Sequence, residues 1–269
     1  MLESIRARFA EEGCVHPLNA LSREAADNYR CRLERDFAQY QADPDFADWT
    51  YYKPYLIFDW YYELAIRPEI LDKVEQLIGP DILLWGGTAV VKPPRSAGYF
   101  TWHQDETYWK LDPQGTTANL WLALDRVNLE NGCMSYIPGS QREGQQAHVE
   151  QPHPDVLVRR GQRLAGEIDD SRAAPIVLEP GQFSLHSGLV FHSSAANHSD
   201  RPRTGVTMVY LPPSTRPSGT ETAILVRGRD QSGYYGPERP PLGNVTVENI
   251  AEHRRVLVLM TARRVARRL

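Results

Sequence analysis

Cysteine is scarce in this chain, three residues in 269. No two of them lie close together, which excludes a disulfide framework and a cysteine-based metal cluster. Cys14, Cys31 and Cys133 each read as a small buried hydrophobe with a reduced thiol. No apolar run is long enough to span a bilayer. The first twelve residues are too charged for the apolar centre of a signal peptide, so a soluble cytoplasmic protein is expected. Basic charge is not in excess either. Lys and Arg total 30 against 34 Asp and Glu, a net charge of -4, so nucleic-acid binding has no bulk electrostatic support. There is no internal repeat and no low-complexity segment. The length suits one domain, 1–269, because β-rich folds of this size often stay undivided.

The first eighty residues read mainly as helix. Leu2, Ile5 and Phe9 recur at helical spacing until Gly13 stops them. Ser22 reads as an N-cap, with Ala25, Tyr29, Leu33, Phe37 and Tyr40 on one face behind it. Asp43-Pro44 breaks that run. Residues 54–66 and 69–78 read as two further helices, closed by Gly79-Pro80. The texture then changes to short β-rich runs at 82–85, 88–92, 119–124, 133–137, 175–178 and 205–211, separated by Gly, Pro, Asn and Asp. That pattern predicts a mainly β protein with flanking α, a two-sheet barrel or jelly roll with helices outside.

Two long polar segments, 141–174 and 212–241, interrupt the strands and read as functional loops or disordered stretches. The first carries Arg159, Arg160 and Arg163, which read either as a solvated loop or as contacts for an anionic substrate. A closing helix over 246–269 sets Ile250, Leu257, Met260 and Val265 among Arg254, Arg255, Arg263, Arg264, Arg267 and Arg268. It reads as a docking helix with a solvated basic face; a membrane or nucleic-acid patch is the other reading.

The chemistry concentrates at His103-Gln104-Asp105. On an extended strand, residues two apart share a face, so an imidazole and a carboxylate can converge on one point. A distant histidine would complete two nitrogens and one oxygen, the facial set that suits Fe(II) and leaves adjacent positions open. His186, His192 and His198 compete for that place. The eleven-residue step to Arg203 favours His192, since a guanidinium can hold a carboxylate bidentately. His16, His148, His153 and His253 lack partner motifs and read as surface residues.

The surroundings of these residues carry a family resemblance. The stretches 99–109, 121–125, 130–140, 181–186 and 192–203, in that order and spacing, resemble the phytanoyl-CoA dioxygenase family of Fe(II)/2-oxoglutarate oxygenases. The likeness covers roughly residues 50 to 212. It implies a double-stranded β-helix of the jelly-roll or cupin-like kind, with N-terminal helices and a C-terminal helix. It implies that His103, Asp105 and His192 bind Fe(II), that 2-oxoglutarate and O2 are cosubstrates, and that Arg203 holds the far carboxylate of 2-oxoglutarate. Ser194 and Trp121 match positions that contact the same cosubstrate; for Trp121 core packing is an equal reading. Thr88 falls at another position lining that site. Gln104 matches a residue that reaches the cosubstrate, although strand alternation turns it to the opposite face. Lys53 matches an upstream lysine near the iron, or is an exposed lysine at a helix start. Related halogenases carry a small residue at the position of Asp105, so an aspartate here implies an oxygenase.

Asn131-Gly132-Cys133 and Pro138-Gly139-Ser140 read as structural turns, and Asn197 as the residue that orders the turn after His192. Tyr99, Phe100, Tyr108 and Trp109 flank the metal strand and are candidates for lining the substrate site; Trp109 reads equally as a packing residue. The expected reaction is hydroxylation of a small metabolite or natural-product intermediate, with 2-oxoglutarate converted to succinate and CO2. Desaturation, epimerisation and cyclisation share the same residues. A cupin-like metalloenzyme without 2-oxoglutarate and a non-catalytic metabolite sensor are the other classes. A small-molecule partner, no nucleic acid, no membrane, and a monomer or homodimer complete the expectation.

Overall fold

The computed structural model describes residues 4–158 and 161–266. Leu2, Arg159, Arg160, Arg267 and Arg268 lie outside the described residues, as do the side chains of Arg263, Arg264 and Val265. The helices are α1 (Ile5–Glu12), α2 (Arg23–Tyr40), α3 (Phe46–Tyr51), α4 (Asp59–Ala65), α5 (Pro68–Ile78) and α6 (Val247–Ala266). Their ends follow local chemistry. Ser22 Oγ accepts the Ala25 amide at the start of α2, and Gly13, at φ 78°, ends α1 in the left-handed region. The stretch 54–66 departs from the expected single helix. It is a 3-10 turn (Pro54–Leu56), an extended Phe58, and then α4. Tyr55, Leu56, Ile57, Phe58, Trp60 and Tyr61 are all buried. One continuous helix would turn some of them to solvent, so packing overrides the local preference.

The strands are β1 (Cys14–Asn19), β2 (Ile82–Lys92), β3 (Phe100–His103), β4 (Leu111–Asp112), β5 (Ala118–Ala123), β6 (Met134–Tyr136), β7 (His148–Glu150), β8 (Gln162–Leu164), β9 (Ala174–Pro175), β10 (Gln182–His186), β11 (His192–Ser194), β12 (Arg203–Leu211), β13 (Arg216–Pro217), β14 (Glu221–Arg227) and β15 (Tyr235–Pro237). Seven form a large sheet in the order β1-β10-β5-β12-β2-β14-β15, and four form a small sheet, β3-β11-β6-β9. β1 lies in the stretch expected to be helical; it is short, and β10 gives it its pairing. The two runs expected at 82–85 and 88–92 are one strand, continuous through Gly86 and Gly87. The long segment 141–174 holds a hairpin, β7 with β8.

The layers follow from alternation along the large sheet. Leu120, Leu122, Phe183, Leu185, Val206, Met208 and Tyr210 pack with Trp60, Tyr61, Leu64 and Ile70 of the helices. Trp121 points the other way, into a second cluster with Met134, Tyr136 and Val190 of the small-sheet side. The result is a helix layer, a large sheet and a small sheet in sequence. The two sheets face each other as a jelly roll without closing into a continuous barrel. Each fully buried large side chain contributes about 1.5–3 kcal/mol. The helix α6 buries Asn249, Glu252, His253 and Val256, as a docking helix should. His253 is therefore not a surface residue: its Nε2–H donates to the Tyr52 carbonyl at 2.7 Å, and burial lowers its pKa to about 4. Cys14 and Cys133 are buried, whereas Cys31 is exposed on α2. No helix among the described residues is long and apolar enough to cross a membrane.

Asp36 ties the helices together. It is buried and accepts the Trp60 indole N–H at 2.8 Å and the Asn244 amide at 3.1 Å. Asp36→Ala would strand the Trp60 indole N–H in the core and remove the acceptor of the half-buried Asn244 amide. It is expected to lower stability by about 2–4 kcal/mol, read as a fall in the urea midpoint with unchanged slope. An unchanged midpoint would contradict the tie.

Candidate metal centre

Register brings the two histidines together. β11 pairs antiparallel with β3 so that His192 lies directly opposite His103, and their ring centroids are 4.1 Å apart. The strand ends at His103, and Asp105 opens a 3-10 turn (Asp105–Tyr108) instead of continuing the strand. The turn still delivers the carboxylate. Asp105 Oδ1 lies 3.7 Å from His103 Nε2 and 3.7 Å from His192 Nε2. Among the described residues, these three form a group whose donor atoms all fall within 4.8 Å of one another.

The supporting contacts prepare each donor. His103 Nδ1–H donates to the Thr101 carbonyl at 2.7 Å, and His192 Nδ1–H to the Val190 carbonyl at 3.0 Å. A carbonyl can only accept, so the proton sits on Nδ1 and the Nε2 lone pair faces the trio. Burial, reinforced by the neighbouring His192, lowers the His103 pKa to about 4, and burial also lowers that of His192. Both rings are neutral near neutrality, as ligation requires. Burial would raise the Asp105 pKa, but the His192, His186 and His103 imidazoles outweigh it and hold the carboxyl well below its usual range. Asn119 Nδ2 donates to Asp105 Oδ2 at 2.7 Å and His186 Nε2 lies 3.5 Å from the same oxygen, which leaves Oδ1 for a metal.

Two cations lie deeper in the same space. Arg203 is buried; its Nη1 donates to Ser194 Oγ at 2.9 Å and to the Gly132 carbonyl, and its guanidinium rests over the Trp121 ring at 5.1 Å. Its Nε is buried without a partner, and so are Ser184 Oγ, Asn119 Oδ1 and His186 Nδ1. Lys92, opposite Arg203 in the β2–β12 register, donates to Ser194 Oγ at 2.6 Å and to the Ala195 carbonyl. All these partners are neutral oxygens. Buried polar atoms without partners are rare in folded proteins and mark space for something else. A two-histidine, one-carboxylate donor set beside an unpaired buried guanidinium fits a hard divalent metal and an organic acid.

A family model for phytanoyl-CoA dioxygenase (PhyH) matches residues 8–205. The chain belongs to the phytanoyl-CoA dioxygenase family. Among curated relatives, a phytanoyl-CoA dioxygenase domain-containing protein 1 homolog of Caenorhabditis elegans is 30% identical over 129 residues, 44% of this chain and 43% of that protein. The peroxisomal phytanoyl-CoA dioxygenase of Mus musculus is 26% identical over 51% of this chain and 41% of its own length. The chain thus matches less than half the length of these relatives. Among solved structures, one described as "non-heme monooxygenase; ThoJ apo" superposes with a TM-score of 0.89 at 30% identity, over 97% of both chains. One described as "CytC3 with Fe(II) and alpha-ketoglutarate" shares the fold, with a TM-score of 0.63 at 20% identity over 85% of this chain and 89% of that one.

Within this family member the sequence candidates fall into groups. His103, Asp105 and His192 come together, and Arg203, Ser194 and Trp121 form the adjoining cluster. Thr88 pairs with Thr207, which pairs with Trp121, so all three share the inner face; the Thr88 hydroxyl donates to the Tyr51 carbonyl at 3.0 Å. Two candidates are placed elsewhere. Gln104 is buried facing the 141–146 loop, where its amide nitrogen donates to the Gly144 and Leu189 carbonyls and its oxygen accepts the Gln146 amide. Alternation along β3 turns it from the trio, so it braces a loop instead of reaching the site. Lys53 is not exposed. It is buried in an ion pair with Glu238 and donates to the Thr222 carbonyl at 2.7 Å, which commits its ammonium to the β14–β15 end of the large sheet.

The aromatic candidates split as well. Phe100 stacks near His103, with centroids 6.4 Å apart, and lies under Lys92. Tyr99 and Phe100, with Trp102 and Arg163, line a cleft of about 870 Å³. Trp109 packs edge-on against Trp85, centroids 5.3 Å apart, in a cluster with Leu111 and Tyr235. Tyr108, one residue earlier in the 3-10 turn, is half-buried. His148 is half-buried too, with Nε2 accepting the Gln104 amide at 3.1 Å.

Two residues of the centre escaped the sequence reading, Lys92 and Asn119; His186, weighed there as a ligand, lies 3.5 Å from Asp105 Oδ2. Alternation from Thr88 through Val90 to Lys92 was the available signal for the first. The turn at Gly132 also gains a reason. Gly132 has φ 71°, and a Cβ there would overlap the Ala195 carbonyl oxygen, so only glycine lets the Gly132 carbonyl accept from Arg203 and Ser194. Asn119→Ala removes the donor that orients Asp105. It is expected to weaken binding of Fe(II) or Mn(II) by about 10–100-fold, measured by anaerobic metal titration. Unchanged affinity would show that Asp105 needs no such support.

Proposed function

We propose that this Fe(II)- and 2-oxoglutarate-dependent enzyme hydroxylates a C–H bond of a small metabolite or natural-product intermediate. The observation that carries the reading is the convergence of His103, Asp105 and His192 beside a buried arginine without a carboxylate partner. The chemistry supplied at such a centre, with O2, is oxidative decarboxylation of 2-oxoglutarate to succinate and CO2, coupled to oxidation of a substrate C–H bond. The chain's own part is positional. His103 and His192 present Nε2, and Asp105 presents Oδ1, because their other polar atoms are already engaged. Arg203 offers its guanidinium to the remote carboxylate of the cosubstrate, and Ser194 Oγ holds that guanidinium in place by accepting from Nη1. Trp121 and Phe100 wall the space between and exclude water from it.

Several features favour oxygen insertion. Asp105 supplies a carboxylate where the resemblance gives halogenases a small residue. The structural relative described as a non-heme monooxygenase matches along the whole chain, and a second structure of it, at 28% identity and a TM-score of 0.82, is described as a nickel complex. Arg203 weighs against a cupin-like reaction without an organic acid, because nothing else among the described residues neutralises it.

The test is succinate release with Fe(II), 2-oxoglutarate and O2, screened across small metabolites by mass spectrometry. The expected product gains one oxygen atom, in proportion to succinate. Asp105→Ala is expected to abolish both. Full turnover in that variant would remove Asp105 from the ligand set. A product of unchanged mass, or one lighter by two hydrogens, would replace hydroxylation by epimerisation or by desaturation or cyclisation.

A further inference from the structure

Lys92 ends β2 and stands opposite Arg203 in the register of the large sheet. Both side chains are buried, and both reach across to the small sheet. They meet at one atom. Ser194 Oγ accepts from Lys92 Nζ at 2.6 Å and from Arg203 Nη1 at 2.9 Å, and its own proton goes to the Gly132 carbonyl at 2.8 Å. The hydroxyl is thus saturated, and it holds two cations side by side. Neither forms an ion pair among the described residues; their other acceptors are the Gly132, Ser194 and Ala195 carbonyls. Two like charges out of water with no counterion are a costly arrangement. An arriving carboxylate would relieve it.

We propose that Lys92 is the second cation of the site for the remote carboxylate of 2-oxoglutarate, acting beside Arg203 through their shared serine. The inference rests on the cosubstrate reading above and extends it to a residue outside the resemblance. A consequence follows for protons. Burial, and then the charge of Arg203, bring the free Lys92 pKa down to about 7. The other groups facing it are the Cys133 thiol, from the turn before β6, and the Phe100 ring, 5.5 Å from Nζ. A bound carboxylate favours the ammonium and raises that pKa. Below about pH 7 Lys92 is already protonated and affinity is flat. Above it, each binding event takes one proton from solvent, and affinity falls by up to about tenfold per pH unit.

The experiment is anaerobic calorimetry on the Fe(II)-loaded enzyme at about pH 8.5, in two buffers of different ionisation enthalpy. The probes are 2-oxoglutarate and pyruvate, which shares the chelating end and lacks the remote carboxylate. The expected result is uptake of close to one proton with 2-oxoglutarate and none with pyruvate. Lys92→Met is expected to bind 2-oxoglutarate at least about tenfold more weakly at pH 7 and without uptake. Lys92→Arg, which keeps the charge and does not titrate, is expected to bind without uptake and with a flat pH profile. If the wild type takes up no proton and Lys92→Met binds normally while Arg203→Ala fails, Lys92 is a structural lysine and the proposal is wrong. If the metal-loaded wild type binds neither probe, the cosubstrate reading itself falls.

Discussion

One strand register underlies the whole site. β11 must pair with β3 so that His192 faces His103, because a slip of β11 by a single residue would turn His192 to the opposite face of the small sheet from His103. With that register set, the two Nε2 atoms are neighbours before any metal arrives. The carboxylate then needs to come only from the next turn of chain, and Asp105 supplies it by leaving the strand after Gln104. The 3-10 turn changes how the carboxylate reaches the trio, not whether it does.

The second sheet completes what the first begins. Asn119 and His186, neighbours on β5 and β10, approach Asp105 from the large sheet. Lys92 and Arg203, neighbours on β2 and β12, approach Ser194 two residues beyond His192. The space between the sheets thus has a neutral-imidazole and carboxylate end and a cationic end. Both ends are anchored through β11, so a ligand that spans them is held against one short strand. This polarity suits a molecule with a chelating group at one end and a carboxylate at the other. Two buried atoms without partners, Ser184 Oγ and Arg203 Nε, belong to residues on the face of the large sheet that carries Trp121.

Much of this was legible in the residues. The trio was readable because two donors lie two residues apart and the third stands at a fixed step from Arg203. The helix ends at Gly13 and Ser22 were readable because caps are local chemistry. What escaped was set by distant partners. Lys53 reads as a lysine near the iron or an exposed one at a helix start until Glu238, far along the chain, buries it. His253 has no motif, and only docking of α6 against Tyr52 shows its place. Lys92 has meaning only through its pairing with Arg203, and β1 only through β10. The broken helix at 54–66 reflects a stretch apolar on all sides, whose burial no single helical face could satisfy. Gln104 shows the converse: strand alternation predicted its direction correctly, against the family analogy.

The most direct test of the account is the visible spectrum of the metal-free protein after anaerobic addition of Fe(II) and 2-oxoglutarate. The account predicts a weak charge-transfer band in the green, absent from His192→Ala and from Arg203→Ala. Iron demonstrably bound with no band in the wild type would contradict it, and would mean that the cationic end of the site serves a different acid or none.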